Sequence, residues 1–211
     1  MKVLIAGANG KIGRRLIPHL VADNIQVRAM VRDLSQKADL ALLGAHEVVE
    51  ADLEGDCSEA LEGQDVVIFT AGSGPHTGPE KTIDVDQNGA ISLIDQAKAQ
   101  GVGRFIMVSS MRADDPESGP EKLRHYFVAK GKADDHLRAS GLNYTIVRPG
   151  RLTEEPPLGK VEIAEKLKNF GDISREDVAK VLSETARRAL HNKEFDVIAG
   201  PTPIPEALEA L

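Results

Sequence analysis

A doubly wound α/β sheet is the fold class this sequence predicts, on three observations. Six short apolar runs alternate with helical patterns before residue 150. Parallel strands need crossover connections, usually helices, so such alternation builds a parallel sheet with helices on both faces. The first run, Val3-Leu4-Ile5-Ala6, is continuous rather than alternating, as a strand buried on both faces reads. A glycine-rich turn follows that run at once and opens the first helical pattern.

The elements follow in order. Residues 3–6 form the first strand, and Ile12, Leu16, Ile17, Leu20 and Val21 then recur at helical spacing. Residues 25–31 read as strand, 34–43 as helix and 46–50 as strand. A short helix at 57–61 precedes a strand at 66–70. Residues 82–100 form a long helix, with Ile83, Ile91, Ile94 and Ala97 among polar neighbours. A strand at 104–109, a helix at 123–140 and a strand at 144–148 complete the regular part. Beyond residue 150 the pattern loosens. Residues 174–190 read as a helix with Ser174 as N-cap and Asp177 three places on. A strand at 195–199 and a short helix at 205–211 end the chain. One dinucleotide-binding domain over residues 1–211 is expected, with 151–211 forming a small substrate-side region. Three loops rich in Gly and Pro, at 72–79, 114–120 and 154–159, follow strand ends on the edge where open α/β sheets bind ligands.

Composition narrows the function. The chain has 211 residues, 26 Lys and Arg against 33 Asp and Glu, and a net charge of −7. An acidic chain is a poor general polyanion binder, so nucleic acid is not the expected partner. Five Phe, two Tyr and no Trp leave few stacking platforms. Cys57 is the single cysteine, so a disulfide framework and a zinc cluster are excluded. The six His, at 19, 46, 76, 125, 136 and 191, lack metal-ligand spacing. His76 lies in the loop after the fourth strand, where it could touch a substrate, although a surface loop position is the plainer reading. No apolar run reaches the roughly 18 residues of a membrane span, and no signal-peptide pattern is visible. A cytoplasmic protein acting on a small molecule is the expectation.

Gly7-Ala8-Asn9-Gly10-Lys11-Ile12-Gly13 carries three glycines between strand and helix. The first permits the tight turn, the second lets backbone approach a pyrophosphate, and the third lets helix pack on strand. The helix N-terminus then offers free amides to the phosphates. Arg32-Asp33 follows the second strand. An acidic residue here suits a free ribose 2′-hydroxyl, whereas a guanidinium suits a 2′-phosphate. Arg32, with Arg14 in support, favours NADP, with NAD the alternative. A plain surface pairing of Arg32 with Asp33 is the competing reading. Asp52-Leu53 and Ala71-Gly72, after the third and fourth strands, fall where adenine and ribose would lie.

Ser109 and Ser110 follow the fifth strand, and Tyr126 and Lys130 share one face of the next helix. An ammonium near the phenol would lower its pKa and fit Tyr126 to exchange a proton at a carbonyl or carbinol. Under the structural alternative, Lys130 is a solvated helix charge or only a ribose contact.

These pieces together resemble the short-chain dehydrogenase/reductase superfamily, in its small atypical NAD(P)H-binding branch close to the NAD-dependent epimerase/dehydratase-like proteins. The matching stretches are the turn 7–14, residues 101–110, Tyr126 with Lys130, residues 141–150 (Gly-Leu-Asn-Tyr-Thr-Ile-Val-Arg-Pro-Gly) and residues 173–179. The resemblance implies that Ser110, Tyr126 and Lys130 occupy catalytic positions, with Ser109 the alternative serine, and that Pro149-Gly150 borders the nicotinamide. Members of this branch often lack the tyrosine, and some bind cofactor without known turnover. An NADP-dependent oxidoreductase or epimerase-like enzyme is therefore expected, and a small substrate, since few residues follow the dinucleotide-binding part. A non-catalytic NADPH sensor and a flavin or quinone reductase are the alternatives.

Overall fold

Val3 to Ala6 are fully buried, and their strand, β1 (Lys2–Ala6), sits inside a nine-stranded sheet. The computed structural model describes residues 1–74, 77–188 and 190–211. Around β1 run β2 (Gln26–Val31), β3 (Glu47–Glu50), β4 (Val66–Phe69), β5 (Arg104–Val108), β6 (Asn143–Pro149) and β10 (Lys193–Ala199). All seven are parallel, in the order β3-β2-β1-β4-β5-β6-β10. The order reverses beside β1, which places a crevice at the carboxyl ends of β1 and β4.

The continuous apolar runs have a direct cause. Alternate residues of β1 face opposite sides, and both sides are covered. Val3 and Ile5 pack with Leu16, Ile17 and Leu20 of α1 (Gly13–Ala22) and Val178 and Leu182 of α7 (Arg175–Arg187). Leu4 and Ala6 pack with Leu93 and Ile94 of α5 (Ala90–Ala99) and Ala133 and Leu137 of α6 (Arg124–Ala139). Each such side chain contributes about 1.5–3 kcal/mol by leaving water.

Beyond residue 150 the structure supplies more strands than the sequence suggests. β7 (Arg151–Thr153) and β9 (Asp172–Ser174) form a separate parallel pair. β8 (Lys160–Ala164) runs antiparallel to β10, and β11 (Thr202–Pro203) extends the edge. Strands of two to five residues carry too few alternations to register as a period. Two helices also differ from expectation. The expected helix at 34–43 splits into a 3₁₀ turn, Leu34–Gln36, and α2 (Lys37–Leu42). The long helix begins earlier, as α4 (Pro79–Thr82), passes through a π-helical turn, Ile83–Gly89, and continues as α5. The short helices α3 (Ser58–Leu61) and α8 (Ile204–Glu209) complete the set.

The Ser174 cap forms as expected. Ser174 Oγ accepts from the Asp177 amide at 2.9 Å. The Asp177 carboxylate accepts from the Leu158 and Gly159 amides at 2.9 and 2.8 Å, which anchors the end of the 154–159 loop to α7.

Candidate active site

The glycine turn has the geometry its spacing predicts. Gly7 lies at φ +82°, and a Cβ there would sit 2.6 Å from the Ala71 backbone. A Cβ on Gly13 would lie 2.5 Å from the Gly7 carbonyl oxygen and 2.8 Å from Ala8 Cα. Gly10 donates its amide to Gly7 O at 2.9 Å, closing the turn. No side chain caps α1, and its first turn has no acidic residue. Among the described residues, no carbonyl accepts from the amides of Lys11, Ile12 and Gly13. Unpaired amides at a helix start, bared by glycines, suit a pyrophosphate. The residues present therefore fit a dinucleotide. Gly13→Ala is expected to weaken dinucleotide binding by at least about 100-fold, since the new methyl must displace backbone at the turn; fluorescence titration with the reduced dinucleotide checks this.

The charges around the turn are largely matched. Glu154 gathers Lys11 at 3.0 Å, Arg15 at 2.8 Å and Arg175 at 2.9 Å. Arg14 donates to Asn9 Oδ1 at 2.8 Å and stands 3.9 Å from Asp39. Asp33 accepts from the Ser35 amide at 2.8 Å, and this backbone bond holds its carboxyl below the usual range. The surface pair of Arg32 with Asp33 is not formed. Arg32 is exposed and has no carboxylate at ion-pair distance among the described residues. Its charge reaches Lys81, whose pKa is held up by a hydrogen bond to Glu54 and opposed by Arg32.

Asp52 turns its carboxylate to the Glu54 amide at 3.0 Å. Leu53 is buried against Gly89, where a Cβ would come within 2.9 Å of the Leu53 Cβ. Ala71 closes on Gly7, while Gly72 faces Asp86, whose Oδ1 would meet a Cβ at 3.1 Å. Gly150 is fixed by packing: its amide donates to Val197 O at 3.0 Å, and a Cβ would strike Gly171 O at 2.1 Å. Met111 donates to Pro149 O at 3.0 Å, which joins the loop after β5 to the end of β6. His76 lies outside the described residues. His125 is partly buried beside Tyr126, and Cys57 is buried with its thiol pushed up to about 11 by desolvation and by Asp56 and Asp52.

Ser110 and Tyr126 come together. Ser110 Oγ donates to the Met111 carbonyl at 3.1 Å, and its nearness to the phenol opposes the rise in the Tyr126 pKa. The stronger influences raise it: loss of solvation first, then the charge of Asp86. This reverses the expectation that Lys130 would lower it. The reason is Lys130's surroundings. Lys130 is 2% exposed, 3.9 Å from Asp86, and its charge also acts on Asp134. Its positive charge is thus matched before it reaches the phenol. It also lies 5.4 Å above the Phe69 ring. Nor is it a solvated helix charge.

Two residues escaped the sequence reading. Asp86 comes from the π-helical turn and is 1% exposed, its other oxygen accepting from the Ser73 amide at 2.9 Å. Single π turns inside helices recur at functional sites. Asp134, one turn past Lys130, accepts from Ser109 Oγ at 2.6 Å, and burial pushes its carboxyl up to about 6 against the opposing effects of Ser109 and Lys130. Ser109 is therefore tied to Asp134, while Ser110 donates to the Met111 carbonyl of its own loop. The faint signal was Asp86 three places before Gly89, a spacing without periodic meaning.

A crevice at a parallel sheet's carboxyl edge and a glycine turn with free amides define a dinucleotide-binding class of protein. The chain belongs to the NAD(P)H-binding family, whose model matches residues 7–189. It is 49% identical to a Bacillus subtilis protein described as an uncharacterized sugar epimerase, YhfK, over 100% of both chains. A solved structure assigned as an NAD-dependent epimerase/dehydratase from Bacillus halodurans is 46% identical, with TM-score 0.98 over 100% of both chains. ChuY, an anaerobillin reductase from Escherichia coli O157:H7, is 26% identical, with TM-score 0.80 over 96% of this chain and 100% of that one. No described helix is long and apolar enough to cross a membrane.

Proposed function

We propose that this protein is an NADP-dependent oxidoreductase that interconverts a carbonyl and a hydroxyl on a small substrate, with Tyr126 as proton donor and acceptor. The observation that carries the reading is the shared placement of Ser110, just after β5, and Tyr126, in the first turn of α6. Both stand at the sheet edge that holds the glycine turn. The reductase name of ChuY, at 26% identity, agrees with that direction.

The residues that would hold the dinucleotide are Gly7, Gly10, Gly13 and the amides of Lys11 and Ile12 at the pyrophosphate. Arg32 would meet the 2′-phosphate. Pro149 and Gly150 would border the nicotinamide, whose reduced form supplies hydride to a carbonyl carbon. Tyr126 supplies the proton to the carbonyl oxygen and regains one from solvent. Burial and Asp86 keep the Tyr126 phenol protonated at neutral pH, so it enters reduction holding the proton that the carbonyl oxygen takes. Ser110 orients the substrate oxygen toward that phenol. Lys130, held between Asp86 and Asp134, keeps the floor of the site rigid and its charges balanced.

NADP is preferred on the strength of Arg32, which stands beside Lys81 with no carboxylate at ion-pair distance among the described residues. Asp33 meanwhile gives its carboxylate to its own loop. Arg32→Ala is expected to weaken NADPH binding by about 10- to 100-fold and leave NADH binding unchanged. Parallel titrations with the two dinucleotides check this, and an equal loss for both would remove Arg32 from the 2′-phosphate. The reaction itself is tested by NADPH oxidation at 340 nm over a panel of small aldehydes and ketones. Absence of turnover across the panel, with NADPH bound, would favour a sensor.

A further inference from the structure

We infer that Arg112, seated on Phe170, is the substrate anchor, and that the substrate is a carbonyl compound bearing a carboxylate. This rests on the oxidoreductase reading above and names its substrate class.

Arg112 stands two residues after Ser110, on the loop that Met111 ties to Pro149. Its backbone lies at φ +72°, the left-handed region that an arginine enters only at a cost. Something fixes it there. The guanidinium carbon sits 4.2 Å from the centroid of the Phe170 ring. The stem of Arg112 packs over Gly119, where a Cβ would meet Arg112 Cδ at 3.3 Å and the Phe127 ring at 2.4 Å. Phe127 in turn meets the Tyr126 ring edge-on at 5.7 Å. The segment holding Phe170 is itself anchored. Gly171 accepts from the Arg151 amide at 2.9 Å and lies against Gly150, and Leu167 donates to Asp196 at 3.0 Å. Arg112 and Phe170 therefore span the gap between the ends of β5 and β6, the rim on which Ser110, Tyr126 and Gly150 stand.

The other arginines of this rim have carboxylates. Arg148 is buried against Glu194, with Asp114 and Asp196 each 3.6 Å away. Arg151 pairs with Asp172, and Arg124 with Glu117 at 2.8 Å. Asp114, the nearest acid in sequence, is held by Lys166 and Arg148. Arg112 has no carboxylate at ion-pair distance among the described residues. A guanidinium held by its central carbon over a ring makes no use of its N–H fork there, and that fork matches a carboxylate bidentately. The exposed Phe170, at 45%, adds an apolar wall for the body of the same molecule.

The test is binding, independent of turnover. The full chain, saturated with NADPH, is titrated with benzoate and with benzamide, and binding is followed by NMR. Benzoate should bind at least about tenfold more tightly than benzamide. Arg112→Gly and Arg112→Gln should abolish that preference, and Phe170→Ala should reduce it. Equal binding of benzoate and benzamide, unchanged benzoate binding in Arg112→Gly, or displacement of benzoate by equimolar inorganic phosphate would overturn the assignment. Turnover separates the two readings. If 4-carboxybenzaldehyde and its methyl ester are reduced with equal kcat/KM, the reaction stands and the anchor falls. If benzoate binds through Arg112 and no carbonyl is reduced, the anchor stands and the reaction falls.

Discussion

Replacing Tyr126 with Phe lowers kcat for carbonyl reduction by about 10²- to 10⁴-fold and leaves NADPH affinity unchanged. The substitution removes one hydroxyl and keeps the ring that packs on Phe127. Proton transfer by a positioned side chain is worth about that factor. The loss should fall on kcat more than on KM, because the phenol acts on the oxygen as charge develops there. The wild-type profile should show no loss of reduction rate from phenol ionisation near pH 7–9, since burial and Asp86 hold the proton on Tyr126. Stopped-flow measurement of NADPH oxidation under single-turnover conditions checks the step itself. A Tyr126→Phe variant with the wild-type rate would leave hydride transfer without tyrosine chemistry, as a flavin or quinone reductase would use it.

The second large effect is on stability. Lys130→Met leaves the buried carboxyls of Asp86 and Asp134 without their shared cation. Breaking a buried charge pair on one side costs about 3–5 kcal/mol. The pH dependence has a definite sign. Burial already raises Asp134 in the folded chain to about 6, and Lys130 opposes that rise. Without Lys130 the folded value climbs further. A carboxyl raised on folding is stabilising when protonated, and that contribution disappears as pH rises through the folded value. The deficit of Lys130→Met should therefore grow from pH 5 to pH 8 in urea unfolding. A deficit that is constant or smaller at pH 8 would mean that Lys130 does not balance these acids. The double variant Lys130→Met with Asp86→Asn should recover part of the loss, because one of the stranded charges is gone.

Much of this architecture is legible in the residues. β1, β4 and β5 announce themselves because strands covered on both faces have no polar alternation, as Val66-Val67-Ile68-Phe69 shows. The glycine turn is legible because each glycine answers a steric demand, met here at Gly7 and Gly13. Ser174 and Asp177 are legible as a cap because the capping bond is local. What stayed hidden is non-local or too short. β7, β9 and β11 have two or three residues each and exist through their pairing partners. The π turn at Ile83–Gly89 keeps a helical composition, so nothing in the spacing marks that Asp86 turns inward to Lys130. The tyrosine's acidity was misjudged for the same reason. A four-residue spacing puts Tyr126 and Lys130 on one face, but Asp86 from the π turn and Asp134, one turn further along the same helix, decide where the lysine's charge goes.

The most direct measurement is a crystal structure of the chain with NADPH. The pyrophosphate is expected against the amides of the turn 7–13 and the 2′-phosphate at Arg32. The nicotinamide is expected between Pro149-Gly150 and the Tyr126 hydroxyl. A dinucleotide seated elsewhere, or one whose nicotinamide points away from Tyr126, would contradict this placement.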